Sequence, residues 1–354
     1  MLNIPKRLYD ALNEQPVTNR VRNNQQLYPS SASIERENGK IEGACARSVF
    51  YRWYKCKKGG TMDPEIQFVC DYGEALHDLI TRMLSNLRRI SNLELLSAEQ
   101  AFYDSKRFLT GRTDGVLIDN DTNLIHGLEI KTVGDYKSTM VIEQPDVSHV
   151  LQSVLYLYEY NKNAKECGTQ ELEDWNILYV ARSENWKLKK YPHRSPFKYI
   201  WQYAISLDPS DEHVIVTNQA GHQTHYKDIT PTKINNRADY CLGYIKKKEL
   251  PPRDYKWQYD EADLLLLSKI PTIEGGLNKV DTAKVDKWMD AGAPEGELNI
   301  DKGDFSCRYC DYANQCWSDA PEIFEKELIP LINIKKPENN EKDIATPTIT
   351  DNIF

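Results

Sequence analysis

The chain has no apolar stretch of about 18 residues, so it has nothing with which to span a membrane. Its start, Met1-Leu2-Asn3-Ile4-Pro5-Lys6-Arg7, has no apolar h-region. That reads against secretion, and the expectation is a cytoplasmic protein. No G-x-x-x-x-G-K-[ST] loop occurs, which excludes a P-loop motor within this sequence. There is no obvious internal repeat, and only 7 histidines occur. A His-rich or paired-metal signature of a small-molecule hydrolase is therefore lacking. Positive charge is in deficit, with net charge −8, which argues against a general polyanion binder.

The charge is uneven, however. Residues 43–62 carry Arg47, Arg52, Lys55, Lys57 and Lys58 with no acid among them. A second stretch sets Arg182, Lys187, Lys189, Lys190, Arg194 and Lys198 against Glu184 alone. A locally basic groove on an acidic protein can hold nucleic acid, because phosphate contacts act within about a Debye length. Solvated charged faces account for either stretch equally well. Phe50-Tyr51-Arg52-Trp53-Tyr54-Lys55 suits base stacking with phosphate contact, and it suits a helix packing its aromatics inward.

With 354 residues the chain could form one large domain or two modest ones. Residues 1–40 read as a polar leader, 41–325 as the main domain with an elaborated connector over 254–305, and 326–354 as a disordered acidic tail. Helices are expected over 44–58, from Gly73 through Leu87, over Val147–Tyr160 and over Ile234–Leu250. Strands are expected at Ala98–Tyr103, Leu109–Ile118, Ile125–Lys131 and Trp175–Ala181, and Tyr199–Leu207 is ambiguous. Asp119-Asn120-Asp121-Thr122-Asn123 marks a hairpin turn. The fold class is α/β.

Chemistry concentrates around that hairpin. Asp114 follows Gly111-Arg112-Thr113, and Glu129-Ile130-Lys131 ends the next run. Strand alternation puts Glu129 and Lys131 on one face, where an antiparallel hairpin brings Asp114 to meet Glu129. Burying three charges is costly unless a cation and an anionic substrate offset it. Two carboxylates can hold a divalent ion, and an ammonium beside them can balance charge on a phosphate. Asp…Glu-x-Lys alone also arises in ordinary surface hairpins. Gln152 and Tyr156, at i and i+4, share one helix face; they suit contact with a phosphate or base, or a core tyrosine with a glutamine at its rim. His77 is a core or surface histidine, or an imidazole ligand better suited to Mn²⁺ than to Mg²⁺.

Eight cysteines in an intracellular chain point to metal binding or scattered core thiols. Cys307, Cys310 and Cys316 have C-x2-C-x5-C spacing and need a fourth ligand, from among Cys45, Cys56, Cys70, Cys167 and Cys241. Zinc and an iron–sulfur cluster both fit that spacing.

The order His77, Gly111-Arg112-Thr113-Asp114, Glu129-Ile130-Lys131, Gln152-Ser153-Val154-Leu155-Tyr156 resembles the RecB-type nucleases of the PD-(D/E)XK superfamily. The resemblance covers roughly residues 45–320. Thr113 stands where the superfamily has the proline that names it, which RecB-type members commonly lack. The resemblance implies a restriction-endonuclease-like central mixed sheet flanked by helices. It implies Mg²⁺ or Mn²⁺ held by His77, Asp114, Glu129 and the carbonyl of Ile130, with Lys131 catalytic and Gln152 and Tyr156 marking the branch. Glu99 matches a further acidic position loosely. CRISPR-associated and AddB-like members carry a [4Fe–4S] cluster on one cysteine before the core and three after it. Cys45-Ala46-Arg47 is similar to their Cys-Pro-Arg, which implies Cys45, Cys307, Cys310 and Cys316 as ligands, with Cys56 the rival for the first. Such a cluster would join the N- and C-terminal parts, in a structural role, leaving Cys70, Cys167 and Cys241 as ordinary thiols. The implied activity is exonucleolytic cleavage of DNA, single-stranded or with frayed ends, alone or with a helicase or recombination partner. The alternative is a catalytically silent, cluster-bearing DNA-end binder.

Overall fold

In the computed structural model the described residues are 25–56, 64–89, 91–183, 199–210, 212–270, 276–308 and 310–317. Residues 326–354, Lys57, Lys58 and the second basic stretch beyond Ser183 lie outside them. In chain order the elements begin with β1 (Ser33–Glu35), β2 (Ile41–Gly43), α1 (Ala46–Trp53), α2 (Pro64–Leu84), β3 (Leu93–Ala98) and β4 (Ala101–Asp104). Next come β5 (Leu109–Arg112), β6 (Gly115–Asp119), β7 (Leu124–Val133), α3 (Asp135–Val141), α4 (Val147–Cys167) and β8 (Leu172–Ala181). Then follow β9 (Ile200–Leu207), β10 (Val214–Asn218), β11 (Gln223–Tyr226), α5 (Pro231–Lys247), α6 (Glu261–Ser268), α7 (Lys279–Asp290), α8 (Phe305–Arg308) and α9 (Ala313–Trp317).

Seven strands form one mixed sheet in the order β11-β10-β9-β8-β7-β6-β3, with helices against both faces. Among the described strands only β7 and β8 run parallel, and α3 and α4 make the crossover between them. Alternation along β7 divides its side chains between two layers. Ile125 and Val133 face the main core with α4. Leu128 and Ile130 face Ile80 of α2, with Leu117 and Val180.

Helix α4 begins where the Asp146 carboxylate accepts from the Ser148 amide, and it ends at Gly168, whose φ of 67° suits glycine. Its Val150, Leu151 and Val154 are fully buried over Trp175, Ile177 and Tyr179 of β8. At Gly127 a Cβ would lie 2.1 Å from the Trp175 ring, so glycine lets that ring press against β7.

Several expectations need correction. The run Leu109–Ile118 is two strands in different sheets, because β5 pairs with β4 and β6 with β3 and β7. Ala98–Tyr103 likewise spans the turn at Glu99 (φ 53°) between β3 and β4. Helix α2 starts nine residues before Gly73. The ambiguous segment is β9, and β10 and β11 were not expected. Within residues 25–40, read as a leader, Ile34 of β1 is fully buried and Leu27 bridges to Leu109. In α1 the aromatics pack inward: Phe50 and Tyr51 are buried, while Trp53 and Tyr54 lie against the same core. The connector carries α6 and α7, which bury Leu264, Leu277, Val285 and Ile300 in a small core of their own. Among the described residues no helix is long and apolar enough to cross a membrane.

Candidate active site

The site forms where the chain changes sheets. Antiparallel pairing of β6 with β7 ends at Gly115↔Leu128, and one more step of that register sets Asp114 opposite Glu129. Upstream of Asp114 the chain has turned away to pair with β4. From Glu129 to Val133, β7 therefore keeps only β8 as a partner among the described strands. The Ile130 amide points into this opening and donates to Asp114 Oδ2 at 2.6 Å. The Ile130 carbonyl points the same way, since a strand residue aims both groups to one side. From α2, His77 Nε2 meets Asp114 Oδ1 at 3.1 Å. That hydrogen bond to Asp114 holds the His77 pKa above its ordinary value, against the opposing effect of burial.

On the other face three polar side chains close a triangle. Lys131 Nζ lies 2.6 Å from Glu129 Oε1 and donates to Gln152 Oε1 at 3.0 Å, while Gln152 Nε2 donates to Glu129 Oε1 at 2.7 Å. Glu129 is 4% exposed, and its second oxygen, Oε2, is buried without a hydrogen-bond partner. Burial pushes the Glu129 carboxyl up to about 7; Lys131 opposes the shift and Asp114 adds to it. Tyr156 donates its hydroxyl to the Arg112 carbonyl at 2.8 Å and stacks on Trp175, with ring centroids 5.0 Å apart. It braces the segment that delivers Asp114. Gly111 makes room for the rings of Phe102 and Tyr156, since a Cβ would stand 2.1 Å from the first and 2.9 Å from the second. Glu99 is exposed and paired with Arg112 at 2.7 Å, apart from this arrangement.

The structure thus brings His77 to Asp114 and joins Glu129 to Lys131 and Gln152, with Asp114 near enough to act on the Glu129 carboxyl. Among the described residues no three His, Cys, Asp or Glu side chains already gather as a metal-holding group. The donor chemistry nonetheless fits one divalent ion. Two carboxylates, one backbone carbonyl and one imidazole suit an oxygen-preferring cation, Mn²⁺ above Mg²⁺ where imidazole takes part. The unpartnered Glu129 Oε2 is the buried acceptor such an ion would satisfy. Two neighbours went unnoticed in the sequence. Tyr179 of β8 lies directly opposite Lys131 in register, and its hydroxyl lies 2.8 Å from His149 Nδ1. The signal was there: His149, Gln152 and Tyr156 follow i, i+3, i+7 spacing on one helix face.

The four cysteines lie where α1 meets the C-terminal turns. Burial pushes the Cys307 thiol up to about 12, and Cys45 and Cys316 add to that shift. Burial likewise raises Cys45 to about 11, and it raises Cys310, with Cys316 adding. Arg47 Nη1 donates to Cys316 Sγ at 3.6 Å, and its Nε to the Pro251 carbonyl at 2.7 Å. Cys307 is buried and Cys45, Cys310 and Cys316 are half-buried, and raised thiols held close to other cysteines suit a cationic centre that takes them as thiolates. Cys56 sits in the main core and acts on Tyr51 and Tyr312. Cys241, read as an ordinary thiol, is buried and close enough to Cys45 to feel its charge. Cys70 and Cys167 are exposed.

No protein-family model matches the chain, and no curated protein does.

Proposed function

We propose that this chain is a divalent-metal-dependent deoxyribonuclease of the RecB type, built on a restriction-endonuclease-like core. The observation that carries the reading is the sheet opening, where Asp114 and Glu129 stand in register, Lys131 contacts Glu129, and Glu129 Oε2 is buried and unpaired. A buried carboxylate with one oxygen unpaired, beside a second that is half-buried, is a poor structural device and a good cation site. His77, Asp114, Glu129 and the Ile130 carbonyl would hold the ion, which when bound polarises a phosphodiester and acidifies water.

The protein's own groups do the rest. Lys131, clamped by Glu129 and Gln152, presents an ammonium that balances charge gathering on the phosphate oxygens. Gln152 fixes both partners of that pair and so sets the direction of the amine. Tyr156 and the Ile130 amide hold the two ends of the Asp114 segment. The substrate is DNA with a single-stranded or frayed end. In this reading Cys45, Cys307, Cys310 and Cys316 carry a [4Fe–4S] cluster that fastens the start of α1 to the C-terminal turns, a closure over most of the chain.

Labelled single-stranded DNA should be digested with Mn²⁺ or Mg²⁺ and left intact in chelator. Intact DNA with every divalent ion would overturn the reading. The cluster has its own readout. Protein purified without oxygen should be brown and contain about four irons per chain, and Cys307→Ser should lose the colour. Colourless protein with stoichiometric zinc would contradict it.

A further inference from the structure

His149 lies on the α4 face that carries Gln152 and Tyr156, one turn before Gln152. Below it, Tyr179 occupies the β8 position opposite Lys131. The Asp146 amide donates to the Tyr179 hydroxyl oxygen at 3.1 Å. The Tyr179 hydroxyl then has its own proton available to give to His149 Nδ1, 2.8 Å away. An imidazole that accepts at Nδ1 carries its hydrogen on Nε2. Among the described residues Nε2 has no hydrogen-bond partner. The half-buried ring therefore keeps one N–H donor, and it sits beside Lys131.

We infer that His149 touches substrate in this site: its Nε2–H donates to a nonbridging oxygen of the phosphodiester next to the one cleaved, and Tyr179 is the positioning residue that fixes the tautomer. The inference rests on the nuclease reading and deepens it. Lys131 is two strand residues beyond Glu129, about 6.6 Å along β7, and His149 stands over the neighbouring strand at that level. A single strand laid along β7 from the carboxylates would bring its next phosphate to that level.

The electrostatics agree. Burial, with Lys131 adding and Asp146 opposing, pulls the His149 pKa down to about 3. The ring is thus neutral near pH 7, and it donates without needing a proton from solution. A neutral donor beside an ammonium avoids the like-charge cost of a second cation.

The test compares two oligonucleotides, one natural and one with an uncharged methylphosphonate at the linkage next to the cleaved bond. On natural DNA, His149→Phe should lower kcat/KM about tenfold, the worth of one hydrogen bond to a charged group, with the loss mainly in KM. His149→Gln can present an amide N–H and should recover most of it, and Tyr179→Phe should fall between. The methylphosphonate should cost wild type about the same tenfold and cost His149→Phe nothing more. A merely structural role would move melting temperature and leave the methylphosphonate penalty equal in all proteins; that equality overturns the assignment. If His149→Phe does not fold, the same comparison with His149→Gln and Tyr179→Phe decides. Wild type that digests DNA while these variants match it on both substrates sinks the His149 role alone. Wild type that digests neither substrate and fails to bind them sinks the nuclease reading and this inference together.

Discussion

Asp114→Asn should abolish metal-dependent digestion of single-stranded DNA, with a loss of about 10³-fold or more, while the protein melts close to wild type. Asparagine matches the aspartate in shape and can still accept from the Ile130 amide, now held at 2.6 Å. The backbone at the strand opening therefore keeps its partner, and the stability cost stays small. What is lost is the negative charge that pairs with His77 and, with Glu129, would attract the cation. Asp114→Ala should be equally inactive but less stable, since an orphaned amide costs about 1–3 kcal/mol. Equal digestion by Asp114→Asn and wild type would eliminate the catalytic assignment.

Glu129→Gln should do two opposite things. It should remove activity as thoroughly, and in chelator at pH 8 it should make the protein more stable than wild type. The folded carboxyl titrates near 7, above an ordinary value of 4.5, because it is buried. Between those values the folded protein holds a proton that the unfolded chain has released. Wild-type stability therefore falls as pH rises from about 4.5 to about 7 and stays reduced above it. The loss should be read as a Tm several degrees lower for wild type than for the variant in a chain of this size. Glutamine escapes that loss. At pH 4 the advantage should vanish, and saturating Mn²⁺ should reverse the order by binding only to wild type. Thermal melts at pH 4 and pH 8, with and without Mn²⁺, check it. A Glu129→Gln protein that melts below wild type at pH 8 in chelator would contradict the account.

The hairpin that builds the site was legible because its turn is unambiguous. Asp119-Asn120-Asp121-Thr122-Asn123 pins the register, and a pinned register carries Asp114 to Glu129 without further information. Helix α4 was legible from its apolar periodicity, although its last turns were not, since Asn161 to Cys167 read as polar. The break at Thr113-Asp114 was hidden although Gly111, Asp114 and Gly115 are poor strand formers, because apolar residues resume on the far side and it is the hairpin with β4 that turns the chain away. The same break leaves one edge of β7 free for chemistry. Strands β10 and β11 are short, and β11 is mostly exposed, so alternation was faint. In the connector, Asp260 with Asp263 forms a capping box and Asn278 caps α7, start signals that the sequence carries without strong periodicity behind them. The triangle of Glu129, Lys131 and Gln152 could be guessed as neighbours, but the unpartnered Oε2 is a matter of packing that no spacing reveals.

The central claim is that Asp114 and Glu129 serve one divalent ion between them. Calorimetric titration of the protein with Mn²⁺ tests this most directly. Wild type should bind one ion at this site with a pH-dependent release of protons, and Asp114→Asn and Glu129→Gln should each lose that same binding event. Both variants taking up Mn²⁺ with the stoichiometry and affinity of wild type would contradict it.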